Sequence, residues 1–481
     1  MLSPARRREI GAFYTPVDVA ERLVDLALDG LAGAPAVCDP ACGDGVFLLA
    51  AGRALADRGL DRATVARELL WGCDLDADAI EVARSAIVSW SGVDPGEHLV
   101  VADGLTIGAR WRARFDAVVG NPPFLNQLER ATVRRDPLPE RLLDVARPYT
   151  DTAWLFLLAA CDLVRDGGRV VLVQPQSLLA ARDAAPVRAH IGDRLTGLWW
   201  CDDALFDANV HVCAPVLGPT THQVRRWSGR DVRPVEPAAR PSSATWGSLV
   251  AADVPDVALS TGHGTLADLA GATAGFRDEF YGLAPHIRDE RDGDRPLLVT
   301  SGLIDVGGIS WGERVTRFNG ARYLHPRVDV DALDGALGRW VRDRLQPKVV
   351  LATQTKVLEA AVDAGGTWVP STPVIALHPR DPDDLWRIAA VLLAPAVSAW
   401  AARTYAGAAL APTAIKLSAR QTLGIPLPSG EAAWSAAADG LRAGDIDAAA
   451  TAMDDAYAVG PAVNAWWRAK WLGGKGAVSH H

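Results

Sequence analysis

The stretch whose reading decides the fold is Asp39-Pro40-Ala41-Cys42-Gly43-Asp44-Gly45, set between the apolar run Ala36 to Asp39 and the helical run Val46 to Ala56. Glycines at a strand-to-helix turn let a ligand approach the backbone closely, and the first turn of the helix offers unpaired N–H groups. A nucleotide-type site at the carboxyl end of a first strand is expected. No GK[ST] follows the glycines, which excludes a Walker phosphate loop.

Outward from this turn, β-rich runs alternate with helical ones from Val37 to about Trp227, the pattern of a doubly wound parallel α/β sheet. Strands are predicted at Ala36 to Asp39, Leu69 to Asp74, Leu99 to Ala102, Phe115 to Val119, Arg169 to Gln174, Leu198 to Asp202 and Val210 to Leu217. The last two leave no room for a crossover helix, so the sheet should end in an antiparallel hairpin. The second strand ends in Asp74, placed to take both hydroxyls of a ribose. The third leads into Asp103, whose carboxylate suits an adenine amino group. Each acidic residue alone reads as a turn or a cap. Three in register at successive strand ends read as one ligand site.

The fourth strand leads into Gly120-Asn121-Pro122-Pro123-Phe124. Two prolines hold the backbone so that the Asn121 side-chain carbonyl and the Pro122 carbonyl converge on one amino group. Two acceptors beside an aromatic face make a clamp for a planar base bearing NH₂.

The 481 residues are 49% hydrophobic and 22% charged, which excludes disordered and fibrous classes. A net charge of −9 argues against a protein that coats nucleic acid nonspecifically, though not against a local basic cleft. The apolar runs Thr152 to Val164 and Leu385 to Trp400 are too short to span a bilayer, and no membrane segment is expected. The start has no apolar signal region, and six cysteines without a CxxC pair read as reduced thiols, so a cytoplasmic location is expected. Ten histidines without ligand spacing predict no metal.

Residues 1–228 are read as the first domain and 229–245, rich in Pro, Arg and Ser, as a linker. Residues 246–430 lack a βαβ rhythm and form a separate mixed α+β domain. Residues 431–472 are Ala-rich with helical spacing, and 473–481 are expected to be a disordered tail.

Gly11-Ala12-Phe13-Tyr14-Thr15-Pro16, the Asp39 to Gly45 turn and Asn121-Pro122-Pro123-Phe124 occur in an order and spacing that resembles gamma-class N6-adenine DNA methyltransferases, the family of the TaqI enzyme. The resemblance implies S-adenosylmethionine as methyl donor. It implies that Tyr14 and Thr15 close over its methionine part, that Asp39, Ala41 and Gly43 line it, that Asp74 holds the ribose and that Asp103 holds the adenine. It assigns Asn121, Pro122 and Phe124 to catalysis and Phe206 to stacking on a flipped target adenine. Phe124 stands where Tyr is common in the family, and Asp44, where Ser is frequent, reads as a helix cap.

More weakly, the later half resembles the target-recognition domain of these enzymes and of type IIG relatives, implying phosphate contacts from Lys348, Lys356 and Lys416. Gln354-Thr355-Lys356 imitates the end of a nuclease signature, but no Pro-Asp lies a strand upstream and the cofactor motif begins near residue 11, so cleavage is not expected. The expected function is site-specific methylation of adenine in double-stranded DNA within a restriction-modification or phage-defence system. A separate restriction endonuclease or defence-complex subunits are the further partners that this setting implies. Methylation of RNA or of a protein glutamine, and a DNA-binding modification subunit of a defence complex, are the alternatives.

Overall fold

Buried runs of mainly Val, Leu, Ala and Cys form the central strands of one large sheet, because strands covered by helices on both faces need apolar residues along most of their length. The computed structural model describes residues 15–124, 138–147, 150–203, 205, 211–275, 277–409, 411 and 414–475. It falls into two units, Met1–Val250 and Ala251–His481.

In the first unit, α1 (Val17–Leu28) precedes β1 (Val37–Asp39), α2 (Val46–Asp57), β2 (Leu70–Asp74), α3 (Ala77–Ser91), β3 (Leu99–Val101) and β4 (Phe115–Gly120). Then come α4 (Thr152–Leu163), β5 (Val164–Leu172), β6 (Gln174–Pro175), α5 (Ala185–Ile191), β7 (Leu195–Cys201) and β8 (Val212–Leu217), followed by β9 (Gln223–Ser228) and β10 (Arg233–Ala239). The strand order is β10-β9-β7-β8-β5-β4-β1-β2-β3, with β6 beside β8. Strands β3, β2, β1, β4 and β5 run parallel. Strand β8 lies antiparallel to both β5 and β7, the hairpin expected from the short connection. α4 is buried nearly all round, and Asp151 caps it by accepting the Ala153 N–H.

The linker reading of 229–245 is corrected. Arg233–Ala239 is an edge strand paired with β9, and its Pro234 and Pro237 suit an edge, where a lost N–H breaks no inner ladder. The chain after it is also tied down. Arg188 is 1% exposed, and its guanidinium donates to the carbonyls of Leu178, Ala181, Ser243 and Ala244. The Trp246 N–H donates to the Leu179 carbonyl at 2.7 Å.

In the second unit one antiparallel sheet joins β11 (Ala270–Ala274), β22 (Ile375–Pro379), β19 (Lys348–Leu351) and β20 (Ala360–Asp363). A smaller one joins β12 (Ile287–Asp289), β18 (Pro326–Val328), β13 (Leu297–Val299) and β21 (Trp368–Pro370). Two hairpins stand beside them, β14 (Ile304–Asp305) with β15 (Gly308–Ile309), and β16 (Thr316–Phe318) with β17 (Ala321–Tyr323). The apolar run from Leu385 breaks at Pro395 into two mostly buried helices, Leu385–Leu393 and Pro395–Tyr405. Among the described residues no single helix is long and apolar enough to cross a membrane. The late helices Glu431–Arg442, Ile446–Ala456 and Pro461–Lys475 share one core with β19 and β22, through Trp434, Met453 and Trp467.

Candidate functional site

The strand order reverses between β1 and β4, and in open α/β sheets ligands bind outside the carboxyl ends of the strands at such a switch. Asp39 ends β1 and is 1% exposed, with Oδ1 accepting the Ala41 N–H at 3.0 Å. Burial pushes its carboxyl up to about 8, and the charge of Asp74 adds to the shift. Gly120, at the end of β4, has φ 153, and a Cβ there would run into the Asp39 carboxylate. The two strand ends therefore approach each other with no room for a side chain on β4.

At the end of β2, Asp74 accepts the Gly43 N–H at 2.9 Å and the Asp76 N–H at 3.0 Å, while burial raises its carboxyl above the usual range. Gly43 has φ 53, and the space where its Cβ would stand is open, so ligand can approach bare backbone there. Ala41 lies half-buried between these residues. Past β3, Asp103 is 9% exposed and accepts the Leu105 N–H at 2.9 Å. Its neighbour Gly104 is required, since a Cβ would collide with the Pro40 carbonyl. Each of the three carboxylates is thus oriented by backbone N–H groups of the turns around it.

Thr15, 6% exposed, accepts from the Asn121 side-chain amide at 3.0 Å. This bond sets the rotation of the amide and defines Oδ1 as its acceptor end. Pro122 is buried, and Phe124 is half-buried against the core that contains Phe47 and Val119. Tyr14 and Phe206 lie outside the described residues. Asp44 is not the cap: Gly45 holds that position in the left-handed region, with no side-chain cap.

Sequence reasoning missed Gly104 and Gly120 as contact residues, although both adjoin motifs that it marked. It also missed Gln176, whose amide donates to Asp202 Oδ1 at 2.9 Å and so ties the strand-end loops after β6 and β7. A single glutamine in an apolar context carries no signal of that pairing.

In the second unit the phosphate reading of Lys348 is corrected. Lys348 is 0% exposed and ion-paired with Asp363 at 2.5 Å, so it is a core residue. Lys356 and Lys416 are exposed. An antiparallel bridge between Thr355 and Ile415, with the Ile415 N–H donating to the Thr355 carbonyl at 2.7 Å, sets the segments that carry the two lysines side by side.

Residues 1–195 match the family model "N-6 DNA Methylase". The chain is 27% identical over 167 residues to the Type II methyltransferase M.VspI of Vibrio sp. (strain 343), covering 35% of this chain and 37% of that one. It is 33% identical over 126 residues to the Type II methyltransferase M.MamI of Microbacterium ammoniaphilum, covering 24% and 34%. The matched part spans about a third of the length of these curated relatives. Among solved structures, the Type IIL restriction-modification enzyme MmeI in complex with DNA is similar at a TM-score of 0.61 and 14% identity, over 99% of this chain and 80% of that one. The likeness to N6-adenine DNA methylases is borne out in the amino-terminal part, and so is the fold, an α/β methyltransferase sheet with a further domain. The family match does not distinguish the gamma class.

Proposed function

We propose that this chain is a gamma-class, site-specific DNA methyltransferase that moves a methyl group from S-adenosylmethionine to adenine N6. The observation that supports the reading is the coupling of Asp39 to Gly120 and of Thr15 to Asn121 at one switch point of the sheet. The family match to residues 1–195 supports the same chemistry.

The residues present fit S-adenosylmethionine: carboxylates stand at three successive strand ends, and the backbone is open at Gly43. Asp74 would hold the ribose hydroxyls, Asp103 the adenine amino group, and Thr15, Ala41 and Asp39 the methionine part. When bound, this cofactor supplies an electrophilic methyl on a sulfonium. The target adenine nitrogen is a poor nucleophile because its lone pair is delocalised into the ring. Asn121 Oδ1 and the Pro122 carbonyl accept hydrogen bonds from its two N–H groups, which favours pyramidal geometry and localises the lone pair on the nitrogen; one of the two protons leaves to solvent as the nitrogen is methylated. Positioning then replaces a strong base, and Phe124 offers its face to the extruded base. The second unit selects the DNA, and Lys356 and Lys416 contact phosphates. MmeI is a restriction-modification enzyme, and we place this chain in such a system.

The test pairs a band shift on duplex DNA with transfer of tritium from labelled cofactor. Label entering duplex DNA as N6-methyladenine, and lost in Asn121→Ala, supports the reading. Label entering only RNA or protein overturns it.

A further inference from the structure

The hairpin β16–β17 has two unlike faces. Its register pairs Thr316 with Tyr323, Arg317 with Arg322 and Phe318 with Ala321. Asn319 (φ 46) and Gly320 (φ 82) make the tight turn, as the two-residue connection of a twisted hairpin requires. One face is anchored. Phe318 is 2% exposed with its ring 4.6 Å from that of Phe280, and the Thr316 hydroxyl shares a 2.6 Å hydrogen bond with Thr300.

Side chains alternate along a strand, so Arg317 and Arg322 stand side by side on the opposite face, and both are exposed. Like charges directly across a ladder destabilise it. Other arginines of this unit sit against carboxylates: Arg295 beside Glu290, Arg314 beside Asp305 and Arg387 beside Glu431. Among the described residues neither Arg317 nor Arg322 makes an ion pair. The same aromatic cluster also holds up Tyr281, 56% exposed and edge-on to Phe280 at 5.3 Å. Two opposed cations on an anchored ribbon with an exposed tyrosine nearby form a surface whose charge is unbalanced until an anion meets it.

We propose that the outer face of this ribbon grips the DNA backbone, with Arg317 and Arg322 each contacting a phosphate. The proposal rests on the DNA-methylation reading above. The negative charge of the phosphates offsets the cross-strand repulsion. A two-stranded ribbon is also an element that a DNA groove admits.

The test measures duplex binding by the full chain as a function of salt, for the wild type, the double variant Arg317→Gln/Arg322→Gln and the double variant Arg317→Lys/Arg322→Lys. Each phosphate contact contributes about 0.9 to the slope of log affinity against log salt, so the glutamine variant should lose about two units of slope and bind on the order of tenfold more weakly or worse. The lysine variant should keep the slope. The same charge loss at Arg442, already paired with Asp439, should change it little. A glutamine variant that melts like the wild type and keeps its slope overturns the ribbon contact while leaving the methylation reading intact. A wild type with no salt-dependent duplex binding overturns both.

Discussion

The side-chain amide of Asn121 donates to the hydroxyl of Thr15 at 3.0 Å, joining the segment ahead of α1 to the loop after β4 across 106 positions of sequence. The bond makes Thr15 a positioning residue for the proposed clamp, beyond the cofactor contact that the family resemblance implies. Four strand ends and one approaching segment are therefore mechanically linked.

Thr15→Val removes the acceptor at nearly constant volume. A neutral hydrogen bond is worth about 1 kcal/mol, so the methyl-transfer rate at saturating cofactor should fall about fivefold. Thr15→Ser should restore it, and Asn121→Ala should cost on the order of 10² or more, as removal of a transition-state contact does. Rapid-quench single-turnover assays read all three. Equal rates in Thr15→Val and wild type would show that the amide is held by other means.

Gly120→Ala places a methyl group against the Asp39 carboxylate at φ 153, a conformation open to glycine. A loss of about 2 kcal/mol in urea unfolding is expected, from backbone strain and displaced carboxylate together. Calorimetry should show weakened cofactor binding in the fraction that folds. An unaltered melting temperature and affinity would refute the close approach of β1 and β4.

Asp39 predicts a pH dependence with a definite sign. The folded carboxyl holds its proton up to about 8, against 3.8 for the ordinary group. Between these values the folded state binds more protons than the unfolded chain, so this group's contribution to stability falls as pH rises from about 4 to about 8. Asp39→Asn keeps an oxygen for the Ala41 N–H and removes the titration. The stability of the variant relative to wild type should rise with pH in that window, by up to about 1.4 kcal/mol per pH unit, and level off above it. Parallel profiles would sink the assignment.

Lys348 and Asp363 are 0% and 2% exposed, and Asp363 also accepts the N–H groups of Thr367 and Trp368. Burial pulls the Lys348 ammonium below its usual range, against the pull of Asp363. Lys348→Ala leaves a buried carboxylate without its cation and should cost about 3 to 5 kcal/mol in denaturant unfolding. Lys348→Met with Asp363→Asn removes both buried charges and keeps an acceptor for one of the two N–H groups, so it should recover part of that loss. The salt slope of DNA binding should be the same in the double variant as in the wild type. A reduced slope would return Lys348 to the DNA surface.

Strands β1 to β5, β7 and β8 were legible because mostly buried strands read as apolar runs, bounded by the glycines, prolines and aspartates of their turns. Strand β10 was not, since its residues are mostly exposed, include two prolines and owe their extended form to the edge of β9. Composition alone makes such a segment look like a linker. The tie between Arg188 and residues 243 and 244 was equally hidden, because it joins a helix to a segment some 55 positions later.

The sequence by itself determined the sheet, its antiparallel end, and which carboxylates and which Asn-Pro-Pro stand at strand ends, because hydrophobic period and turn chemistry act over a few neighbouring residues. Only the tertiary structure decided that Gly120 yields its space to Asp39, that Thr15 holds Asn121, and that Lys348 is buried while Lys356 and Lys416 are exposed. Each of these depends on which distant segment lies opposite. Burial and charge balance are properties of that encounter and leave no mark on local sequence.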